Sequence, residues 1–483
     1  MTTTPPLPDY SEAAHQRERL AYWNDIARRT ADRPAFPDGY HQHLLRSYQF
    51  LVAPGQRVLE IGCGRGDLLA ALKPSVGVGV DFSPEMIRIA GSRYPNLRFV
   101  LADSHQVAFD ETFDVIILSD VINDQWDVQK VFARLRTLCT PRTRIIMNFY
   151  SRVWELPLNL AARLGVANPT LYQNWLTVPD VANLLNLAGF EIIRSWQEIL
   201  WPLHTPVIAT IMNRFLARLW PFSYLGLTNF VLARPQPDRS AAREEPVVSV
   251  VVPARNEAGN IKQIFERTPE MGRKTELIFV EGHSRDDTYA EIERQIAAHP
   301  ERQAKLFRQP GAGKGDAVRV GYANATGEVL MILDADMTVP PEDLPRFYEA
   351  LRDGKGDFIN GVRLVYPMEK QAMRFFNFLA NKWFSWAFSW LLGQPVKDTL
   401  CGTKVLWKTD YERIAANRSY FGDFDPFGDF DLLFGAAKLH QKIVDMPIRY
   451  RERTYGTTNI QRWKHGWLLL RMVLFAARRL KFT

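Results

Sequence analysis

Residues 328–341 read Glu-Val-Leu-Met-Ile-Leu-Asp-Ala-Asp-Met-Thr-Val-Pro-Pro, and this stretch decides the fold of the second half of the chain. Val329, Leu330, Met331, Ile332 and Leu333 run uninterrupted into two carboxylates, Asp334 and Asp336. An apolar run of this length between turn signals suits a parallel strand buried on both faces. Open α/β sheets bind ligands outside the carboxyl ends of their strands, so a ligand is expected beside Asp334 and Asp336. A hard divalent cation is commonly held by one or two carboxylates together with substrate phosphates. The pair is therefore a candidate metal site. Solvated strand ends carry the same pattern, and the flanks have to separate the two readings.

Upstream, residues 247–253 give a first strand, followed by Ala254-Arg255-Asn256-Glu257 and a helix. Residues 276–280 give a second, ending in Glu281-Gly282-His283-Ser284-Arg285-Asp286-Asp287-Thr288. A small glycine loop with a lysine, Gly313-Lys314-Gly315-Asp316, precedes the opening stretch. Three successive strand ends thus carry acids. This ordered set resembles the family 2 glycosyltransferases, inverting enzymes of the GT-A fold, and within them those that act on polyprenyl phosphates. The resemblance covers residues 247–460. It implies nucleotide-sugar contacts from Pro253, Arg255, Glu257, Glu281, Asp286 and Lys314. It also implies Mg2+ or Mn2+ with diphosphate at Asp334 and Asp336. Two positions depart from the family pattern. Glu281-Gly282-His283-Ser284 stands where Asp-Asp-Gly-Ser is usual, which leaves the nucleobase open, and Thr338 stands where relatives often have Gln.

Further along, residues 373–392 are dense in Phe and Trp at an interrupted helical period. That suits a helix in a membrane interface, a core helix being the other reading. The loop 398–404 lies where relatives shape the acceptor site. In Asp425-Pro-Phe-Gly-Asp-Phe-Asp-Leu-Leu433, Asp431 matches the family's acceptor-side acid, with Asp429 nearby. Residues 449–458 resemble the Arg-containing loop that closes on phosphate, although Thr458-Asn459 replaces the Ser-Lys common in users of lipid phosphates. By this resemblance Arg363 and Arg453 pair with an acceptor phosphate, as planar guanidinium forks do well. A hydroxyl acceptor would instead need a base, for which Asp431 or Asp429 is the candidate. Residues 461–483 form a basic-ended amphipathic helix, favoured by anionic headgroups.

The first half is organised differently. Arg57-Val-Leu-Glu-Ile-Gly-Cys-Gly-Arg-Gly-Asp67 is a strand, a glycine loop and a helix start. Its spacing is GxGxG, with Glu60 two residues before the first glycine. The dinucleotide fingerprint places its third glycine one position later. Residues 76–80 end in Asp81, an acid suited to ribose hydroxyls. Residues 99–103, 113–120 and 144–149 continue the series of strands, and 190–196 with 228–233 look like the last ones. Alternating strand and helix signals imply a doubly wound parallel sheet. Glu60 to Gly66, Asp81, Asp103 and Asp120 together resemble class I S-adenosylmethionine-dependent methyltransferases, over residues 51–235. The resemblance implies cofactor contacts from Glu60, Gly62, Cys63, Gly64, Gly66, Asp81 and Phe82, with Asp103 and Ser104 near the adenine. His105 and Asp120 are placed to act near the methyl group, a structural role being the alternative for His105. Residues 201–226 repeat apolar side chains at helical spacing, either packed on their own domain or capping a greasy substrate.

The chain is expected to be α/β with two domains, a Rossmann-like methyltransferase fold and a GT-A fold with amphipathic interface helices. Residues 1–50 would be a helical extension, either docked or a mobile lid, with Ala13, Leu20 and Trp23 as a docking face. Residues 236–246, polar and proline-bearing, read as the linker. At 483 residues two or more domains are expected, and 46% hydrophobic with 23% charged residues is ordinary for globular protein. Three separated cysteines, Cys63, Cys139 and Cys401, suggest a reduced compartment and no disulfide frame or zinc cluster. Neither an Asn-Pro-Pro-aromatic element nor a dense basic stripe is present, which argues against nucleic acid. No apolar run reaches roughly 18 residues, so peripheral attachment at the cytoplasmic face of a membrane is expected. The functional expectation is a bifunctional transferase. It would move sugar from a nucleotide sugar to a lipid-phosphate or glycan acceptor, and methyl to a small molecule or glycolipid. Alternatively, the first domain is a non-catalytic cofactor sensor or scaffold, or the aromatic helices serve dimerisation.

Overall fold

A computed structural model describes residues 11–164, 171, 173–203, 205–238, 244–363, 375–418, 428–449, 451, 453, 455 and 462–482. The chain divides into two units, the second beginning at Pro237.

In the first unit Val58, Leu59 and Ile61 are buried on strand β1 (Arg57–Ile61). It pairs in parallel with β2 (Val76–Asp81) on one side and with β4 (Phe113–Ser119) on the other. With β3 (Arg98–Leu101), β5 (Cys139–Tyr150), β6 (Phe190–Glu198) and β7 (Thr228–Pro235), the sheet order is β3-β2-β1-β4-β5-β7-β6. The order reverses at β1, and the glycine loop leaves the carboxyl end of that strand. Such a switch point is where an open sheet has room for a ligand. The sheet is not wholly parallel, as β7 lies antiparallel between β5 and β6. Antiparallel neighbours need no crossover helix, so residues 199–227 need not cross a sheet face to join β6 to β7.

Two N-terminal helices complete this unit. Helix α1 (Glu12–Thr30) starts at Ser11, whose hydroxyl accepts from the Ala14 N–H, and α2 (Gly39–Leu51) starts at Asp38 in the same manner. Side chains at these caps satisfy backbone donors that the first turn leaves unpaired. Helix α2 buries Tyr40, Leu44, Tyr48 and Leu51. On α1 the docking face differs from the expected one. Ala13 is exposed, and Trp23, Ile26 and Ala27 pack with Met86 and Ile89.

In the second unit β11 (Val329–Ile332) is wholly buried between β8 (Val247–Ala254) and β13 (Lys404–Trp407). The full order is β10-β9-β8-β11-β13-β12-β14, with β9 (Lys274–Glu281), β10 (Gln303–Arg308), β12 (Phe358–Val362) and β14 (Ile443–Pro447). Strand β13 runs antiparallel to both neighbours. The aromatic helix Phe375–Leu392 divides its side chains. Phe388 and Leu391 join the core beside Phe430 and Phe434, while Trp383 and Trp386 face outward. The helix Arg462–Ala476 does likewise, burying Leu469 and Met472 and exposing Trp467 and Leu474. The expected side chains at 373–381 lie outside the described residues.

Candidate active sites

The glycine loop of the first unit opens on a chamber of about 910 Å³. Gly62 has φ +70°, and a Cβ there would stand 2.3 Å from Val121 Cγ2. Gly64 has φ +50° with nothing within 4 Å of a built Cβ. Only glycine takes such backbone angles cheaply, so the loop brings its backbone to the chamber without side chains in the way. Asp81, at the end of β2, accepts the Gly64 N–H and the Ser83 N–H, each at 2.9 Å. Burial raises its pKa and those donors oppose the rise. Glu60 is 3% exposed, its Oε2 has no hydrogen-bond partner, and burial lifts its carboxyl well above the usual range. A buried orphan oxygen at the chamber wall is a place for a ligand's donor. The loop, Glu60 and Asp81 therefore fit a cofactor carrying an amine and ribose hydroxyls. Cys63 and Phe82 also line the chamber.

Asp103 is more engaged than the sequence suggests. It accepts from the His105 backbone N–H at 2.8 Å and pairs with His105 Nδ1 at 2.6 Å, and its other oxygen takes Gln16 Nε2. His105 Nε2 accepts the Asp127 N–H at 3.2 Å, so both ring nitrogens are occupied. The Ser104 hydroxyl donates to Gln125.

Sequence reasoning missed the groups around Asp120, which follows β4 with φ +55°. Tyr40 donates its hydroxyl to Asp120 Oδ1 at 2.8 Å, and Asn148 Nδ2 donates to the same oxygen at 2.6 Å. Tyr48 in turn donates to Asn148 Oδ1 at 2.7 Å. Burial pushes the Asp120 carboxyl up to about 6, partly offset by Tyr40. Tyr40 is itself raised well above the phenol range by burial, and so it remains a donor. His41, Tyr150, Trp23 and Trp126 share the chamber.

In the second unit three strand ends converge. Gly282 N–H donates to Ala254 O at 2.9 Å, and Asn256 N–H to Ser284 Oγ at 3.0 Å, locking the end of β8 to that of β9. Asp286 accepts from Ala258 N–H, and Tyr455 donates to it at 3.3 Å. Glu281 accepts the Ser284 N–H and takes Arg308 at 3.3 Å. Arg255 extends from the same loop after Pro253.

Both carboxylates of the opening stretch already hold cations. Lys314 Nζ lies 2.6 Å from Asp334 Oδ1, and Arg453 Nη2 lies 2.6 Å from Asp336 Oδ2. Arg453 also reaches Glu257 at 3.4 Å. Burial acts most strongly and would raise Asp334, but Lys314 together with Lys404 and Arg363 outweighs it, and the carboxyl lies below the usual range. Glu257 is pushed up to about 7, by burial first, with Asp336 adding and Arg453 opposing. A Cβ on Gly402 would fall 2.0 Å from Asp334 Oδ2, so the loop after the aromatic helix packs its backbone directly on this pair. No cluster of three or more His, Cys, Asp or Glu side chains that could hold a metal occurs among the described residues. Two carboxylates with outside oxygens nevertheless suffice for a hard cation completed by diphosphate, and the two seated cations mark the local field as one that favours positive charge.

Of the proposed acceptor-side residues, Arg453 is the one that meets this pair. Arg363 gives Nε and Nη2 to Asp398, at 2.7 and 2.9 Å. Asp431 holds Arg418 at 2.7 Å. The Asp429 side chain, residues 425–427 and most of 449–458 lie outside the described residues.

Residues 53–201 match the family described as a methyltransferase domain, and residues 249–400 match glycosyl transferase family 2. The chain thus carries both a methyltransferase domain and a family 2 glycosyltransferase domain. A dolichol-phosphate mannosyltransferase of Saccharomyces cerevisiae is 39% identical over 111 residues, 22% of this chain and 41% of that protein. Its Pyrococcus furiosus namesake is 26% identical over 219 residues, 44% of this chain and 59% of that protein. An undecaprenyl-phosphate 4-deoxy-4-formamido-L-arabinose transferase of Edwardsiella ictaluri is 34% identical over 217 residues, 43% of this chain and 61% of that one. The chain therefore spans less than two thirds of each of these relatives. Among solved structures, magnesium protoporphyrin IX methyltransferase from Synechocystis PCC 6803 with bound SAM is 17% identical. It covers 48% of this chain and 100% of its own, at a TM-score of 0.32.

Proposed function

We propose that the second unit transfers a sugar, with inversion, from a nucleotide sugar to a polyprenyl phosphate or a related lipid-phosphate acceptor. The observation that carries this reading is the pair of cations seated on Asp334 and Asp336, beside two further strand ends bearing Glu257, Glu281 and Asp286. The names of the relatives support the acceptor class. A bound Mg2+ or Mn2+ would neutralise the departing nucleoside diphosphate. Asp334 and Asp336 would hold it, with Lys314 and Arg453 moving onto phosphate oxygens. A phosphate acceptor is already anionic and needs no strong base. Screening nucleotide sugars for transfer to lipid phosphate, with manganese or magnesium, tests the proposal. Absence of both transfer and hydrolysis with every donor would overturn it.

The first unit is proposed to bind S-adenosylmethionine through Glu60, the glycine loop and Asp81, and to methylate an acceptor beside Asp120. The sulfonium methyl, when bound, is electrophilic and its leaving group departs readily, so alignment supplies much of the rate. Asp120, held by Tyr40 and Asn148, would take the proton that a hydroxyl acceptor gives up. The proposed place of action is the cytoplasmic face of a membrane. No helix among the described residues is long and apolar enough to cross one, and the outward Trp383, Trp386 and Trp467 would rest in the interface.

A further inference from the structure

Two segments that wall the methyl-transfer chamber carry apolar side chains on their outer side. Leu158, Pro202 and Leu227 line the chamber. On the helix Glu155–Arg163, Leu156 and Leu160 stand two residues either side of Leu158, which turns them to the outer face of the same helix, followed by Leu164, with Leu156 80% exposed. The segment after Pro202 does the same. Val207, Ile211, Phe215 and Trp220 are exposed, Trp220 to 79%.

The two segments adjoin where Trp154 Nε1 donates to Leu225 O at 2.8 Å. The exposure is built in. Asn213 is 7% exposed and bridges the backbone of Trp201, accepting its N–H at 2.8 Å and donating to its carbonyl at 2.7 Å. Ala217 is buried as a second anchor. These pins turn the intervening apolar side chains outward.

So many large apolar side chains exposed on two adjoining segments mark an interaction site. Its charges select the partner. Arg152, Arg163 and Arg214 are exposed on these segments, against the single acid Glu155. Apolar residues flanked by arginine suit an anionic lipid surface. Resting on the methyltransferase reading above, we propose that the methyl acceptor is a lipid-linked molecule, drawn from an anionic membrane over these segments. Its chain stays against Leu156, Leu160 and Trp220, and its polar head reaches Asp120.

The full-length Trp220→Cys variant, labelled with bimane, tests the proposal on phosphatidylglycerol vesicles containing lipids brominated along the acyl chain. Cys63 and Cys401 are buried and Cys139 is half-buried, so labelled wild type gives the background. Quenching above that background is expected, since the label would lie below the headgroups. Lack of quenching on vesicles that bind the protein overturns the proposal. In a second arm, Leu156→Glu combined with Trp220→Glu should cut methyl incorporation into a lipid extract at least tenfold, with S-adenosylmethionine affinity unchanged. Undiminished incorporation, or a dimer mass that the double variant abolishes, would assign these side chains elsewhere. If wild type binds no S-adenosylmethionine, the methyltransferase reading fails while the quenching result still stands.

Discussion

Asp81 and Asp120 in the first unit are held by neutral donors, and Asp334 and Asp336 in the second by cations. Asp81 takes two backbone N–H groups, and Asp120 takes a phenol and an amide. Asp334 takes an ammonium, and Asp336 a guanidinium. The difference bears on what each site is built to receive. Neutral donors preorganise a carboxylate and leave its charge in place, which suits ligand hydroxyls and a positively charged sulfonium. Cations on a carboxylate pair instead occupy positions that a metal and its phosphates would take over, the arginine and lysine then passing to the phosphates.

The sharpest way to break this contrast is Asp334→Asn or Asp336→Asn. Losing electrostatic neutralisation of a leaving diphosphate costs roughly 3–4 kcal/mol, or about 10²–10³ in rate. Sugar transfer should nearly vanish while S-adenosylmethionine affinity, read by calorimetry, stays constant. A parallel loss of cofactor binding in a folded variant would show that the two sites are coupled.

Asp120→Asn comes next. If Asp120 takes the acceptor's proton, methyl transfer should fall about 10²-fold, again with cofactor affinity kept. The sign with pH follows from the raised carboxyl, which is protonated below about 6 and ionised above it. The wild-type rate should therefore rise as pH passes through about 6 and then level. A flat profile in the chemical step would leave Asp120 with positioning alone.

Asp81→Ala should weaken S-adenosylmethionine binding at least tenfold, because each hydrogen bond to a charged group is worth about 1.5–3 kcal/mol. Sugar transfer should be untouched, unless the methylated product is its substrate. Unchanged affinity would remove Asp81 from the cofactor site.

What the sequence discloses follows from how each feature is encoded. Strand β11 is a continuous apolar run ending in acids, and β1 is an apolar run broken only by Glu60 and ending in glycines, so a local window suffices. Strand β10 reads Gln-Ala-Lys-Leu-Phe-Arg and is only half-buried, and β13 carries the fully buried Lys404. Neither stands out by hydrophobic pattern. The Tyr40–Asp120 and Tyr48–Asn148 bonds join residues 80 and 100 positions apart. Nothing local to α2 announces that its tyrosines reach the end of β4. Arg363 is a further case. The resemblance implies a phosphate partner for it, and the fold adds Asp398, 35 residues on, which holds its fork. Ion pairs formed by chain folding have no sequence signature, and so residue type alone does not disclose which carboxylate holds a cation.

The smallest expected effect concerns Arg453, and it probes the cation contrast most directly. If its guanidinium occupies Asp336 only until a metal arrives, metal must displace it. Replacing Arg453 with Gln removes that competitor. The pair is partly exposed, with side chains 28% and 15% accessible, so its rupture is worth about 1 kcal/mol or less. Mn2+ affinity without donor should therefore rise up to roughly fivefold, read by calorimetry or by loss of the free-ion resonance signal. Titration is best done near pH 8. Glu257, pushed up to about 7 in the wild type, loses the opposing charge of Arg453 in the variant and moves higher. A protonated neighbour would otherwise mask the gain. Sugar transfer in the same variant should slow, because the arginine would no longer be available to phosphate oxygens. Tighter metal with slower transfer is the signature of a cation that exchanges partners. Unchanged metal affinity would mean that Arg453 and the metal do not share Asp336.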